Sequence, residues 1–410
     1  MTHTLAFAVE IATSALAVAG IAYFFAAILA ARIFITARRT QLAPFAPSVS
    51  ILKSLKGVDP AMLDAFRSHC RQNYAGAYEL IFGVSSLTDP AVVAVEQLQR
   101  EFPEQTIRLI ECPLLLGANG KVSTLAQLLP HAQHEFLLIS DSDISVSPHY
   151  LERIMIAFSR PALTKVADTP LIGLVTALYR GNAHRTLPSR LEALAIATDF
   201  QPSVLLSKWL EGGIRYGLGS TLAVRREALD RIGGFAALVD YLADDYELGA
   251  RIAKAGYTIA LSSEVVETGT PPYTWGGFVD HQLRWLRTVR DARPAGYTGL
   301  IFTYGFAWAV LNVLASGVSP LSLWLLGLSF FLRLTLAMTV GAEVLGDHEV
   351  LPNLWLLPMR DLIALGLWVA AFASNTIVWR GQHFAVHKGV LHRIEGSSAP
   401  PPSNEMGSPS

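Results

Sequence analysis

The chain has 410 residues, a formal net charge of −1 and 16% charged residues. This near-neutral balance provides no basic surface for a phosphate backbone, so it excludes a nucleic-acid-binding protein. Hydrophobic residues make up 51% of the chain, and the excess over a soluble protein lies at the two ends. We therefore expect one large domain in the middle of the chain, with membrane segments before and after it.

The first predicted element is an apolar run over residues 5–30, interrupted by Glu10. At about 1.5 Å per residue the run is long enough to span a bilayer, and we predict a transmembrane anchor over residues 1–43. A cleaved signal peptide is the alternative, but no lysine or arginine precedes the run. Three arginines follow it by residue 39, which places the N-terminus outside and the next residues in the cytoplasm.

Predicted strands and helices alternate over residues 44–275, which is the pattern of an α/β domain. Neither an internal repeat nor a Pro/Gly-rich linker divides this region, so we predict a single domain. The predicted strands are 49–52, 79–84, 107–110, 136–140, 171–177, 218–224 and 257–261. The predicted helices are 60–72, 91–101, 121–129 and 244–255.

Aspartates follow a buried strand at Asp141 and Asp143. Alternation along an extended chain places both carboxylates on one side, and ligands of open α/β sheets bind at the carboxyl ends of strands. Mg²⁺ or Mn²⁺ takes oxygen ligands and often binds phosphates through one or two carboxylates. We therefore predict that Asp141 and Asp143 hold a metal that neutralises a departing nucleotide diphosphate. The alternative is a solvated turn.

Two further aspartate signals occur at helix starts. Asp89 follows the second strand and is predicted to bind the nucleotide donor, although Asp89-Pro90 also suits a simple helix cap. Asp244 and Asp245 open a later helix, where the helix dipole favours carboxylates. One of this pair suffices as a cap. We predict that the other, Asp245, is a base that accepts the proton of an incoming hydroxyl.

The loop from Gly117 to Lys121 ends in a lysine at a helix start. Backbone donors and an ammonium group at this position suit a diphosphate, so Lys121 is a predicted donor-binding residue. The spacing is not that of a P-loop, and the signal is weak by itself.

Residues 276–297 are predicted to form an amphipathic helix with an Arg-Trp pair. The functional hypothesis places Arg284 on the diphosphate, because a guanidinium can make a bidentate phosphate contact, and Trp285 against the acceptor. The alternative is a membrane-surface helix whose basic residues meet lipid headgroups.

Three long apolar runs follow at 299–317, 320–342 and 354–379, and we predict a membrane region over residues 298–380 with about three spans. Three spans would place the C-terminus outside. Basic residues in the tail favour the cytoplasm instead, so the two signals conflict, and one run is re-entrant or interfacial in the alternative arrangement. The tail, residues 381–410, is predicted to be largely disordered because Ser, Pro and Gly dominate from residue 396 onward.

Three charged residues lie within or beside these apolar runs: Arg333, Arg360 and Asp361. Intramembrane charges usually face protein or a cavity. We therefore consider a role for Arg360 and Asp361 near a lipid entrance, with snorkelling to the interface as the alternative.

Taken in order, these motifs resemble the ceramide glucosyltransferase family, a GT-A branch of the inverting glycosyltransferases. That family has three separated aspartates followed by Gln/Arg-x-x-Arg-Trp. This chain has Asp89, Asp141 and Asp245, then His281-Gln282-Leu283-Arg284-Trp285. The flanking segments are also similar: Leu52-Lys53-Ser54-Leu55-Lys56-Gly57-Val58-Asp59-Pro60, Asp89-Pro90-Ala91 and Ala243-Asp244-Asp245-Tyr246. The likeness covers about residues 47–290, with a similar membrane layout at both ends.

The resemblance implies a GT-A Rossmann-like catalytic domain, a UDP-sugar donor, a divalent metal and a lipid alcohol acceptor at the cytoplasmic face. Its bacterial members include enzymes similar to hopanoid glycosyltransferases, which implies a bacterial inner membrane and transfer of N-acetylglucosamine or glucose to a hopanoid polyol or a ceramide. The implied catalytic residues are Asp245, Arg284 and Trp285. The implied donor-binding residues are Asp89, Lys121, Asp141, His281 and Gln282.

Two positions depart from the family pattern. His281 stands where the motif has Gln or Arg, and Phe200-Gln201-Pro202 stands where animal ceramide enzymes have His-Pro. A processive polysaccharide synthase is the alternative enzyme, but it needs a channel of more spans than the four visible here. A non-enzymatic membrane transporter or scaffold is the second alternative, and the ordered carboxylates disfavour it.

Overall fold

Eight strands form one mixed sheet in the middle of the chain. The computed structural model describes residues 2–38, 43–59, 61–159, 170–379 and 382–398. The strand order is β3-β2-β1-β4-β7-β6-β8-β5. Strands β1 to β4 are parallel, whereas β7 is antiparallel to both of its neighbours. The strands are β1 (Val49–Ser54), β2 (Tyr78–Val84), β3 (Ile107–Glu111), β4 (Phe136–Ile139), β5 (Ile144–Ser145), β6 (Ile172–Ala183), β7 (Leu222–Arg225) and β8 (Thr258–Thr270).

Helices cover both faces of this sheet and continue at both ends of the chain. Successive residues of β1, Ile51 and Leu52, enter different hydrophobic clusters, because side chains alternate across a strand. Both faces are therefore buried, and the central strands are continuous apolar runs. The helices are α1 (Thr2–Ala37), α2 (Met62–Cys70), α3 (Ala91–Glu101), α4 (Gly120–Leu128), α5 (Tyr150–Ile156), α6 (Leu187–Ala195), α7 (Gln201–Leu210), α8 (Arg226–Arg231), α9 (Asp244–Lys254), α10 (Trp275–Ala292), α11 (Pro294–Gly299), α12 (Gly305–Ala315), α13 (Pro320–Ala337) and α14 (Leu357–Ala370).

The predicted α/β fold is confirmed, and each of the seven predicted strands corresponds to a strand of the sheet. Strand β8 continues to Thr270, well beyond the predicted strand 257–261. Its second half contains buried polar residues, Ser262 and Glu264, so it lacks the apolar run by which the other strands were predicted. No prediction covers β5 or the helices α5 to α8.

Three helices of the described chain are long and apolar enough to cross a membrane: Thr4–Ala37, Pro320–Val344 and His348–Ala373. Pro294–Thr303 and Gly305–Ala315 together form a fourth candidate that is bent by 56°. These helices confirm the predicted anchor and the apolar C-terminal region as candidate spans. Helices α1 and α12 touch at two glycines, since a Cβ added to Gly20 would lie 2.1 Å from the Cα of Gly305.

A three-stranded sheet follows the last apolar helix, formed by β9 (Thr376–Trp379), β10 (Gln382–His387) and β11 (Val390–Ser398). The prediction of a largely disordered tail over 381–410 is therefore wrong for residues 382–398, and residues 399–410 lie outside the described residues. The small core of this sheet contains Phe384, Val386 and Leu391, which pack with Leu242. The prediction extended the Ser-, Pro- and Gly-rich composition of residues 396–410 to a segment that has apolar residues of its own.

This C-terminal sheet lies on the same side of the apolar helices as the middle domain. Arg287 of α10 donates to the Thr376 carbonyl at 2.8 Å, and the Leu242 amide donates to the Gly389 carbonyl at 3.0 Å. Because α10 precedes the apolar helices and β9 follows them, the two ends of this apolar region lie on one side of it, which an even number of membrane crossings would give. Two full crossings and a bent pair that returns to its own side fit this arrangement, and the basic tail agrees with it.

Charged residues form a buried cluster between the apolar helices and the middle domain. Arg333 donates to Asp361 Oδ1 at 2.7 Å and to Asp199 Oδ1 at 2.5 Å, while Arg360 Nη2 lies 3.1 Å from Asp199 Oδ2. The side chains of Arg333, Arg360 and Asp361 are all buried. Snorkelling to the interface is therefore contradicted, and these charges face protein. A role near a lipid entrance stays a prediction.

We predict that Arg333→Met destabilises the protein by about 3–5 kcal/mol, because it leaves the buried Asp361 without its ion-pair partner. The double variant Arg333→Met/Asp361→Leu removes both charges and is expected to recover much of the loss. Unfolding of the purified protein in detergent measures both effects.

The exposed pair Arg32–Glu343 provides the control, since these side chains retain 53% and 46% of their accessible surface. Arg32→Met is expected to change the stability by about 0–1 kcal/mol. Equal destabilisation by the single and double variants at Arg333 and Asp361 would show that the buried pair is not the cause.

Candidate active site

Lys121 brings two of the three aspartate signals together at the carboxyl edge of the sheet. Its Nζ lies 2.7 Å from Asp141 Oδ1, after β4, and 3.5 Å from Asp244 Oδ2, at the start of α9. Burial lowers the pKa of Lys121, but the two carboxylates outweigh this effect and raise its pKa above the ordinary value. The lysine therefore stays charged and screens the two carboxylates from each other.

The loop that carries Lys121 is anchored to the segment before Asp244. Asn119 caps α4, accepting a hydrogen bond from the Val122 amide at 3.2 Å, and donates to the Tyr241 carbonyl at 2.8 Å. The Ala118 amide donates to Asp240 at 2.9 Å. These hydrogen bonds hold the loop against residues 240 and 241. They explain why Lys121 reaches the acidic edge although the sequence signal of the loop is weak.

A second lysine, Lys53 at the end of β1, supports the acidic edge from below. It is fully buried and donates to Ser140 Oγ at 2.8 Å and to the Asp141 carbonyl at 2.9 Å. Burial lowers the pKa of Lys53 to about 7, and the opposing effect of Asp141 and Asp143 does not offset this. Next to it, burial and Lys53 lower the pKa of His69, so that imidazole is neutral.

Asp143 is the second carboxylate of the predicted metal pair. It accepts a hydrogen bond from Thr268 Oγ1 at 2.5 Å, and burial and the neighbouring Asp141 raise its pKa. Among the described residues, no group of three or more His, Cys, Asp or Glu is arranged to hold a metal ion by itself. Two neighbouring carboxylates, of which Asp143 has a raised pKa, nevertheless fit a divalent ion that takes its remaining ligands from phosphate and water.

Asp245 begins α9 beside this acidic edge. Its Oδ1 accepts a hydrogen bond from the Tyr246 amide at 2.8 Å. Gly219 lies against the other oxygen, since a Cβ there would be 3.0 Å from Asp245 Oδ2. Burial raises the pKa of Asp245 to about 6; Asp244 adds to the shift and Lys121 opposes it. Of the two adjacent aspartates, Asp244 thus pairs with Lys121, and Asp245 has the proton affinity of a general base.

An aromatic wall is formed by Tyr179, Phe200, Trp285, His281 and Tyr273. Neighbouring rings are 5.3–6.1 Å apart, with His281 between Tyr273 and Trp285. Burial and then the Asp245 carboxylate raise the pKa of Tyr179, which places its phenol within electrostatic range of the base. Burial and Glu192 raise the pKa of Tyr273, and Arg284 opposes this shift. The Arg-Trp helix therefore reaches the acidic edge.

Two predicted donor-binding residues lie on α10 near Glu192. Gln282 is buried, and both ends of its amide are hydrogen-bonded: Nε2 donates to Glu192 Oε2 at 2.6 Å, and Oε1 accepts from Arg360 at 3.2 Å. Its contact with the donor stays a prediction. His281 lies in the aromatic wall, 3.3 Å from Glu192 Oε1. Its contact with the donor stays a prediction, as does that of Arg284, which is half-buried on α10.

Asp89 joins the edge indirectly. It accepts hydrogen bonds from the Ala91 amide at 2.9 Å and from the Gly57 amide at 3.0 Å. The loop around Gly57 continues to Asp59, which accepts a hydrogen bond from Ser142 at 2.9 Å. Asp89 therefore lies at a helix start, as predicted, and also holds the Gly57 loop. Its contact with the nucleotide donor stays a prediction.

Sequence patterns missed four residues of this arrangement: Lys53, Tyr179, Glu192 and Thr268. The one local signal was the charge of Lys53 itself, within an otherwise apolar strand. Tyr179 and Thr268 lie beyond the predicted ends of their strands, and Glu192 lies in α6, a helix that was not predicted. Their roles depend on contacts between residues that are distant in sequence.

Known proteins are similar to this chain in sequence and in fold. Ceramide glucosyltransferase 3 of Caenorhabditis elegans is 26% identical over 357 residues, covering 82% of this chain and 72% of that protein. Beta-monoglucosyldiacylglycerol synthase of a Nostoc species is 25% identical over 209 residues, covering 50% of this chain and 41% of that protein. The solved mannosyltransferase PcManGT of Pyrobaculum calidifontis, in complex with GDP-Man and Mn²⁺, has a TM-score of 0.50 at 18% identity, covering 88% of this chain and 98% of that chain.

The mixed sheet, together with this likeness, shows the predicted GT-A fold. The sequence profile of glycosyl transferase family 21 matches residues 12–392, and the chain belongs to that family. The predicted ceramide glucosyltransferase resemblance and the prediction of a sugar-transferring enzyme are thereby confirmed.

We predict that Gly219→Ala lowers the turnover number by about tenfold, because a Cβ at 3.0 Å displaces the carboxylate of Asp245, the predicted base. Gly366→Ala is the matched control, since a Cβ there meets no atom within 4 Å. The sugar-transfer rate and the melting temperature of both variants test this. A turnover number equal to the wild-type value would show that the position of Asp245 is not critical.

Proposed function

We propose that the protein transfers one sugar from a UDP-sugar to the hydroxyl of a membrane lipid, with inversion at the anomeric carbon. The observation that carries this proposal is the position of Asp245. Its carboxylate, with a pKa raised to about 6, lies within electrostatic range of the cationic Lys121 and of Tyr179 in the aromatic wall. Phe200 of the same wall packs with residues of the apolar helices. A base at this position can serve a hydroxyl that arrives from the membrane side.

The reaction needs a single displacement. The acceptor hydroxyl gives its proton to Asp245 while its oxygen forms a bond to the anomeric carbon. The bond between that carbon and the diphosphate oxygen breaks on the opposite side, and UDP leaves with the electron pair. A lipid alcohol has a high pKa, so its nucleophilicity depends on a carboxylate within hydrogen-bond reach during attack.

The leaving diphosphate meets the charged residues of the edge. Lys121 supplies a permanent positive charge, and Arg284 on α10 adds a guanidinium from the opposite wall. Asp141 and Asp143 would hold Mn²⁺ or Mg²⁺, which when bound neutralises negative charge that develops on the diphosphate. The raised pKa of Asp143 supports this, since a cation relieves the repulsion that raises it. Mn²⁺ accompanies the nucleotide sugar in PcManGT.

The lipid acceptor follows from the surroundings of the aromatic wall. Phe200 and Leu283 of the wall region pack in the same hydrophobic cluster as residues of α1 and α13. Two relatives are named for sugar transfer to ceramide and to a diacylglycerol. The sequence resemblance to the bacterial branch adds a hopanoid polyol, with N-acetylglucosamine or glucose as the sugar. The arginines that follow α1 support a catalytic domain at the cytoplasmic face of a bacterial inner membrane.

The test uses the purified full-length protein in detergent with Mn²⁺ or Mg²⁺, offered UDP-glucose and UDP-N-acetylglucosamine. The acceptors are ceramide, diacylglycerol and a hopanoid polyol, and lipid products are identified by mass. We expect a lipid that carries one sugar, and no product when EDTA removes the metal. A lipid or free glycan that carries many sugars would favour a processive synthase, and failure to bind UDP would contradict the proposal.

Asp245→Asn tests the base. The amide preserves the shape of the side chain but accepts no proton, so we expect the transfer rate to fall by about 10²–10⁴-fold while UDP binding stays near the wild-type value. Glu247→Gln, one turn from the start of the same helix, is the control and is expected to retain activity. Equal loss of UDP binding and transfer in Asp245→Asn would contradict the role of Asp245 as the base.

The pH dependence gives an independent prediction. Because the pKa of Asp245 is raised to about 6, the base is protonated below that pH and the carboxylate is present above it. We expect kcat/KM to rise with pH through about 6 and then to level off. An aspartate with an ordinary pKa would keep the enzyme active down to about pH 4. A profile that is flat from pH 5 to 8 would show that Asp245 does not limit the rate.

A further inference from the structure

The last hairpin of the C-terminal sheet lies beside the segment that leads to the acidic edge. Strands β10 and β11 are joined by a two-residue turn at residues 388–389, where φ is 51° and 80°. Two-residue type I′ turns need positive φ at both positions, so this turn has a defined shape. The Gly389 carbonyl accepts a hydrogen bond from the Leu242 amide at 3.0 Å, and the Leu391 amide donates to the Asp240 carbonyl at 2.8 Å. The segment is thus paired with the start of β11 as a short additional strand.

The opposite edge of this segment is held by the loop that carries Lys121. The Asn119 amide donates to the Val239 carbonyl at 2.6 Å, and the Asn119 side chain donates to the Tyr241 carbonyl at 2.8 Å. Backbone groups of an extended chain point to alternate sides, so the segment lies between the loop and β11. Lys121 in turn lies 3.5 Å from Asp244, which follows the segment directly. The position of the segment therefore affects the distance between the lysine and the aspartates of α9.

The β10–β11 turn also contacts the Arg-Trp helix, α10. The Gly389 amide donates to Asp291 Oδ2 near the end of that helix. One helical turn earlier, Arg287 donates to the Thr376 carbonyl of β9 at 2.8 Å, so the contact continues along the sheet. Gly389 thus gives its amide to α10 and its carbonyl to Leu242, and one residue connects two segments that are distant in the sequence.

These two segments belong to different walls of the candidate site. Helix α10 contributes Trp285, whose ring lies 6.1 Å from that of Phe200 in the aromatic wall. The segment at 239–242 leads into α9, which begins with Asp244 and Asp245. A base is effective only within hydrogen-bond reach of the proton that it accepts, so the rate depends on the relative position of the two walls.

We propose that the β10–β11 turn is a positioning element for sugar transfer, which fixes the Arg-Trp helix relative to the two aspartates of α9. The inference rests on the proposed function and adds Asp291 and Gly389 to it as positioning residues. Neither residue touches the reacting atoms; they act through α10 and through the segment at 239–242. A part of the chain that follows the last apolar helix thereby contributes to the geometry of the site.

Asp291→Ala is the first variant, since it removes the acceptor of the Gly389 amide and detaches the turn from α10. The assay uses the UDP-sugar and the lipid that give product with the wild type, and rates are divided by the amount of folded protein. We expect kcat to fall about tenfold, because small displacements of positioned groups are costly in the transition state. The dissociation constant for UDP should change less than about threefold, because ground-state binding depends less on this geometry.

Two further variants of α10 are the controls. Asp291→Asn keeps a side-chain oxygen that can accept the Gly389 amide, so it should retain most of the activity. Asp280→Ala removes an exposed carboxylate from the same helix and is expected to keep the wild-type rate. An equal loss in Asp291→Asn and Asp291→Ala would show that the charge matters and not the contact with the turn, which would overturn the proposal. A similar loss in Asp280→Ala would do the same.

A double-mutant cycle in the full-length chain tests whether Asp291 acts through the turn. Gly389→Pro removes the amide donor. In this background Asp291→Ala should lower kcat by less than about twofold, because the interaction is already absent. An equal factor in both backgrounds would overturn the proposal, as would an unchanged kcat in Asp291→Ala alone. If Gly389→Pro fails to fold, the comparison of Asp291→Ala with Asp291→Asn still decides the outcome.

The two proposals fail in different ways. A wild-type protein that makes no glycolipid would contradict the proposed function. An active wild type with an equally active Asp291→Ala variant would contradict only the role of the turn.

Discussion

The concentration of carboxylates at one edge of the sheet is the constraint on which the rest of the site depends. Asp141, Asp143, Asp244 and Asp245 would repel one another at this spacing, and Lys121 relieves the repulsion by pairing with one member of each group. The pairing is selective, because Lys121 bonds to Asp141 and Asp244 and leaves the other two with raised pKa values. A single lysine thereby pairs with two of the four aspartates and leaves two whose proton affinity is raised.

The division has a chemical consequence at each end of the donor. Burial and the Asp141 carboxylate raise the pKa of Asp143, and a carboxylate in such surroundings is also stabilised by a cation. Burial and the Asp244 carboxylate raise the pKa of Asp245, and a carboxylate with this pKa can take a proton near neutral pH. In the proposed mechanism the same physical effect therefore suits Asp143 to a metal ion and Asp245 to an alcohol.

Sequence patterns were sufficient for the parts of the molecule that depend on local chemistry. Apolar runs located the strands, and aspartates at strand ends located the acidic edge, because parallel strands bring their carboxyl ends together. Patterns failed where a residue is defined by a distant contact. Gln282 belongs to a conspicuous motif, yet its amide is engaged by Glu192 and Arg360, which lie 90 and 78 residues away. The C-terminal strands failed for a related reason, since Phe384 and Val386 become a core only when Leu242 covers them.

The connection between the catalytic domain and the apolar helices follows from charge burial. Arg333, Arg360 and Asp361 are stable at low exposure only with Asp199, which precedes Phe200 of the aromatic wall by one residue. Any movement of α13 or α14 relative to the domain would separate these charges in buried, low-dielectric surroundings, where unpaired charges are unstable. The apolar helices are therefore fixed relative to the aromatic wall, and the C-terminal sheet adds a second attachment through Leu242, two residues before Asp244. In the proposed mechanism a lipid hydroxyl that approaches along these helices meets this fixed wall and not an adaptable loop, so the position of the proposed base relative to the apolar helices is a property of the fold.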